Sequence, residues 1–263
     1  MKTVLFFLPL IILVFLELIV VEVFAQPGDT MVIKSENLVL SNINYGRHTY
    51  LVYNKRTKEG PAVRLTLVKI NVEAKTYNGK PAVSITQQWD QDTVIHTATT
   101  VLDQKTFSTL AHNTFWKRLG YTGKYDFLKK EVSFEGKIVD SVRTKSIKDF
   151  DESFSSYSLN WHSDLLIFPL LPFKANRVFK INFYDPGFGK PQQVIYTVEG
   201  SETLASGTGE RIDCWTLIIK YTKPGPSYQK FWISKKAHEV LKEEDMFNGQ
   251  YRYKLKMAVS ENN

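Results

Sequence analysis

Short runs in which apolar and polar residues alternate recur along most of the chain, and they restrict the fold more than any other feature. Tyr251-Arg252-Tyr253-Lys254-Leu255-Lys256-Met257 is the clearest of them. Successive side chains of a strand point to opposite faces, so Tyr251, Tyr253, Leu255 and Met257 share one face and Arg252, Lys254 and Lys256 the other. This predicts a half-buried strand with its basic side in water. Asn248-Gly249 is a two-residue hairpin signal that joins it to a partner strand over 239–246.

The same pattern predicts strands over 50–53, 63–72, 82–88, 94–102, 106–114, 130–134, 138–145, 177–184, 194–201, 212–221 and 228–234. Turn residues punctuate them: the 55–60 stretch ending in Gly60, then Asn78-Gly79, Glu135-Gly136, a loop with Pro186, Gly187, Gly189 and Pro191, and Pro224-Gly225-Pro226. Strands at this spacing mean an antiparallel meander, a sandwich or a barrel. No solenoid-type repeat is present.

One stretch breaks the pattern. Between Ser156 and Phe173 the residues Leu165, Leu166, Ile167, Phe168, Leu170 and Leu171 are apolar nearly all round, with Asn160 or Ser163 placed to cap a helix and Pro169 and Pro172 placed to end or kink it. A helix of that composition must be buried or pressed against a sheet. The expected fold is therefore mainly β: a curved antiparallel sheet, or open half-barrel, around a short apolar helix. The helix also divides the chain, so sub-lobes 26–150 and 151–263 are open beside a single domain over 26–263.

The N-terminus has the form of a secretory leader. Lys2 precedes an apolar run from Val4 to Leu16, and Val23 and Ala25 suit cleavage before Gln26. The run is too short for a bilayer span, which needs roughly 20 apolar residues. Cys214 is the only cysteine, so no internal disulfide exists and no cysteine follows the leader to carry a lipid. No Asn-x-Ser/Thr sequon occurs. These features predict a secreted protein of a Gram-negative periplasm with no transmembrane span in its mature chain. The net charge is +7, but the basic residues are dispersed, and nothing resembles a nucleic-acid-binding module.

Signals for chemistry are sparse. His48, His96, His112, His162 and His238 lack the close spacing of metal ligands, so neither a metal nor a cofactor is expected. Cys214 falls inside a strand beside Asp213, a setting for packing rather than for a nucleophile. The turn 206–210 is neither a nucleophile elbow nor a phosphate loop. The acidic groups Asp149-Asp151-Glu152 and Glu243-Glu244-Asp245 read as a solvated loop and a strand end. Trp89, Trp116, Trp161, Trp215 and Trp232 either fill a core or line a cavity.

Val198-Glu199-Gly200-Ser201-Glu202, the Gly209–Thr216 run, Phe231-Trp232-Ile233-Ser234 and the strand pair around Asn248-Gly249 follow the 165–172 helix. From Leu159 onward this series resembles a bacterial secreted domain-of-unknown-function family. That family is distantly similar to periplasmic lipoprotein carriers of the Lol type, although the chain is longer than those compact carriers. The resemblance implies a half-barrel with an open hydrophobic cleft and no catalytic residues. Combined with the leader, it points to a non-enzymatic periplasmic protein holding a lipid or acyl chain. Trp161, Leu166, Phe168, Trp215 and Trp232 are the candidates for the cavity wall, and Arg252, Lys254 and Lys256 for contact with anionic headgroups. An envelope assembly protein acting through a protein partner is the alternative. A hydrolase is a third reading, and it needs His96 or His112 beside a carboxylate in a cleft.

Overall fold

The computed structural model describes residues 29–205, 209–221 and 227–257. The leader over 1–25, most of the 206–210 turn and Pro224-Gly225-Pro226 lie outside the described residues. A single sheet of 15 strands organises the rest. Its first half is β2 (Gly46–Lys55), β3 (Val63–Tyr77), β4 (Lys80–Asp90), β5 (Val94–Asp103), β6 (Thr109–Trp116), β7 (Tyr121–Asp126) and β8 (Glu131–Gly136). Its second half is β10 (Val178–Tyr184), β11 (Gln192–Ala205), β12 (Arg211–Tyr221), β13 (Ser227–Ser234), β14 (Val240–Phe247) and β15 (Gln250–Met257). Two short strands, β1 (Thr30–Val32) and β9 (Leu159–Asn160), pair in parallel with β10.

Within each half the strands follow one another as antiparallel hairpins, and β15 joins the halves by pairing with β2 from Tyr251↔Lys55 to Met257↔Thr49. The sheet ends at β1 on one side and β8 on the other, so it is curved and open. Asn78-Gly79 and Asn248-Gly249 make the expected two-residue turns. All four residues have positive φ, between 48° and 78°, which is the backbone that type I′ hairpins require.

The apolar segment forms a one-turn 3-10 helix (Trp161–Ser163), α2 (Asp164–Ile167) and a second 3-10 turn (Phe168–Leu170). Asn160 caps the first, its side chain accepting from the His162 N–H. Ile167, Phe168 and Leu170 are fully buried against the inner face of the sheet. Phe168 packs on Phe231 at 4.6 Å and on Tyr196 at 5.1 Å between ring centroids. The space between helix and sheet is therefore filled.

Two expectations are overturned here. The chain over 138–145 is not a strand: α1 (Asp140–Glu152) starts there. Val142 and Ile147 are exposed on this helix, which is held by Phe150, fully buried against Phe127 at 4.9 Å and Tyr125 at 5.8 Å. The group Asp149-Asp151-Glu152 accordingly lies in a helix rather than a loop, with Asp149 buried and paired to Lys145.

The second correction concerns β15. Its basic side faces inward: Lys254 is 7% exposed and pairs in register with Val52, while Lys256 pairs with Tyr50, both core residues. Tyr253 lies on the outer face, stacked between Tyr53 and Tyr251 at 5.2 and 6.3 Å. Alternation shows which residues share a face but not which face is covered.

Candidate functional site

An opening of about 300 Å³ interrupts the packed inner face beside α2. One wall is a row of the sheet, because Trp89 pairs in register with His96 and His96 with Trp116. His96 stacks on Trp116 at 3.7 Å, and Trp89 meets Trp116 edge-on at 5.8 Å. The facing wall comes from Trp161, His162, Asp164 and Leu165. Glu243, Arg252 and Lys254 close one side, and Arg118, Asp185 and Phe188 also line the cleft.

The charged side is tightly paired. Lys254 Nζ lies 2.6 Å from Glu243 Oε2. Arg252 donates through Nε to Asp245 Oδ2 at 2.6 Å and through Nη2 to Glu243 Oε1 at 3.2 Å. Burial and the adjacent Glu243 carboxylate push Asp245 up to about 8. Burial works against ionisation of Glu243 too, but Lys254 and Arg252 outweigh it and hold Glu243 below its usual range. Asp164 is raised, chiefly by burial and further by Glu243, against the pull of Lys254. The Glu243-Glu244-Asp245 group is therefore a buried feature inside β14 and not a strand end.

The histidines meet as well. His162 lies 5.5 Å from His96 and 4.7 Å from His112 between ring centroids. His162 Nδ1 is 2.9 Å from Asp185 Oδ1. His96 Nδ1 donates to the Phe115 carbonyl at 2.7 Å, which leaves its buried Nε2 as an acceptor with no partner among the described residues. Trp116 Nε1–H is a buried donor, equally without a partner. Buried polar atoms are normally paired, so an acceptor and a donor left open beside one cleft mark a place for a polar guest. The carboxylate that enters this group pairs with His162, so neither His96 nor His112 acquires the carboxylate partner that the hydrolase reading needs.

Burial pushes His96 down to about 3 and His112 well below its usual value. Both stay neutral when folded and take up a proton near pH 6.5 when unfolded. Each therefore removes up to about 1.4 kcal/mol of stability per pH unit below that point. Asp245 acts oppositely: the folded state keeps a proton that the unfolded chain releases above about pH 4, so its contribution improves as pH falls from 8. Between pH 6.5 and pH 5 the two histidines should therefore lower stability, while Asp245 and Asp164, both raised, offset part of that loss. Urea midpoints across this range check it, and His112→Gln should flatten the acid side.

The five wall candidates do not share a wall. Trp161 lines the cleft and Phe168 is in the packed core. Leu166 sits against the core on the other side of the helix, near Tyr50 and Pro169. Trp215 stacks flat on Phe173, centroids 5.9 Å apart, at a separate surface depression. Trp232 is on the outer face, donating to Glu202 Oε2 at 2.7 Å beneath Lys242 Nζ, 4.1 Å from its ring. Cys214 is fully buried, and burial with Asp213 nearby pushes its thiol up to about 11, so it is an inert packing residue.

No helix of the described residues is long and apolar enough to cross a membrane, and no group of three or more metal-ligating side chains is assembled among them. Similar folds are found in several solved structures. The hypothetical lipoprotein YmcC from Escherichia coli is 14% identical, with 82% of this chain and 88% of that one covered at a TM-score of 0.29. A β-barrel-like protein of the family DUF1849 from Brucella abortus is 10% identical, with 80% and 95% covered at 0.39. The Mycobacterium tuberculosis lipoprotein LppX is 8% identical, with 86% and 96% covered at 0.27. No curated protein matches the sequence. The family "Protein of unknown function (DUF3108)" matches residues 49–256, reaching from β2 to β15 and so well upstream of Leu159, and the chain belongs to that family.

Proposed function

We propose that this is a secreted, non-catalytic binding protein whose cleft receives part of an amphipathic molecule, such as the head and first carbons of a lipid. The observation that carries this reading is the open pair at the cleft: the His96 Nε2 acceptor and the Trp116 Nε1 donor, both buried and both free among the described residues. Aromatic rings offer the apolar part a surface, and the Arg252 and Lys254 side offers the polar part a charged one. A volume of about 300 Å³ is at the lower end for small-molecule sites, so the rest of a long chain stays outside. Buried ion pairs add little net stability over apolar residues of similar size. Their presence beside the cleft thus fits a role in ligand contact. The leader-like N-terminus supports export, and the periplasm is the compartment proposed.

Titration with monomeric lysophosphatidylglycerol, read by tryptophan fluorescence, tests this. The expected result is a saturable 1:1 change. Trp116→Phe keeps an aromatic ring on His96 but removes the donor, and should weaken binding roughly 3- to 10-fold, as loss of one hydrogen bond of about 1 kcal/mol does. A non-saturating response, or one that Trp116→Phe leaves unchanged, contradicts the assignment.

A further inference from the structure

The strand pairings place the connections 56–62, 117–120, 185–191 and 248–249 along one rim of the half-barrel. Arg118, Asp185 and Phe188 of this rim also line the ligand cleft. Farther along the rim, a surface opening of about 790 Å³ is lined by Lys55, Arg56, Val63 and Arg64 among others. None of Lys55, Arg56, Arg64 and Arg118 has a carboxylate within 4.0 Å among the described residues. Lys58 of the same rim is paired with Glu244, and Lys105 and Lys236 of the opposite rim also have no carboxylate within 4.0 Å among the described residues, so it is the combination with exposed apolar side chains that marks this rim. Large apolar side chains stand exposed on the same rim: Leu65 at 56%, Phe247 at 44% and Phe188 at 41%. Arg64 is held at φ 54°, an uncommon backbone for a non-glycine residue, between two of these exposed apolar positions, Val63 and Leu65.

Unpaired cations interleaved with exposed apolar side chains are the two attractions that hold a protein on an anionic bilayer: charge to the headgroups and apolar insertion between them. We propose that this rim docks on an anionic phospholipid surface, with the mouth of the cleft turned toward the bilayer. A partner with only negative charge would leave Leu65, Phe247 and Phe188 without a counterpart, so the bilayer fits better than an acidic protein. The inference deepens the binding role proposed above, yet it is tested without reference to the cleft.

The test is co-sedimentation of the purified protein with vesicles of phosphatidylcholine alone and of phosphatidylcholine with phosphatidylglycerol. Binding should be at least about tenfold tighter to the anionic vesicles and should fall at high salt, as exposed charge attraction is screened. The exposed pair Arg56→Glu/Arg64→Glu should reduce it to the neutral-vesicle level without changing the melting temperature. Lys105→Glu/Lys236→Glu, the same change of charge on the opposite rim, should leave it intact. Trp116→Phe should also leave it intact, so loss of cleft binding and loss of docking are read separately. Equal binding to neutral vesicles overturns the proposal. Equal loss in the two charge-reversal pairs also overturns it, because that is a response to net charge alone.

Discussion

Lys254→Met should lower the unfolding free energy by about 3–5 kcal/mol, the usual result of removing one partner of a buried ion pair. Glu243 is 1% exposed and lies between Lys254 and Arg252. With Lys254 gone, Arg252 alone must balance Glu243, while Asp164 loses the cation that lowers it. Adding Glu243→Gln to Lys254→Met should recover part of the loss, since the stranded charge is then removed as well. Urea denaturation of both variants at neutral pH provides the comparison. A small effect for Lys254→Met alone would mean that water reaches Glu243 freely and that this side of the cleft is not closed.

Phe168→Ala should cost a similar amount, about 3–5 kcal/mol. The ring is fully buried and touches Phe231, Tyr196 and Phe183 from three strands, so its removal leaves a cavity that strands fixed by ladder hydrogen bonds cannot close. At roughly 2–4 °C per kcal/mol for a domain of this size, the melting temperature should fall by about 10 °C. Leu166→Ala, on the less enclosed side of the same segment, should cost clearly less. The contrast separates the filled space beneath the helix from the opening beside it.

Most strands were legible because each strand buries one face and so alternates; those around Val94, Ile212 and Tyr251 are where alternation places them. The α1 helix was not, since its sole large buried anchor is Phe150 and its β-branched residues are in water. The cleft was harder to read because its residues come from β4, β5, β6, the helical segment and β14–β15, brought together by pairing between distant strands. One part was within reach. A two-residue turn at Asn248-Gly249 fixes the hairpin register, and that register alone sets Glu243 opposite Lys254 and Asp245 opposite Arg252. Four charges paired in that manner on one strand face already argue against a bare solvated face. What the hairpin does not contain is the direction of curvature, so alternation alone places the basic side of β15 in water, whereas it faces the inside of the sheet, with Arg252 and Lys254 at the cleft.

Native mass spectrometry of the protein purified without detergent tests the central claim most directly, because it shows whether the cleft holds a guest. The account predicts an adduct of lipid-like mass at one per chain, released on denaturation and depleted in Trp116→Phe. Bare protein alone, with no adduct after incubation with lysophosphatidylglycerol, would contradict it.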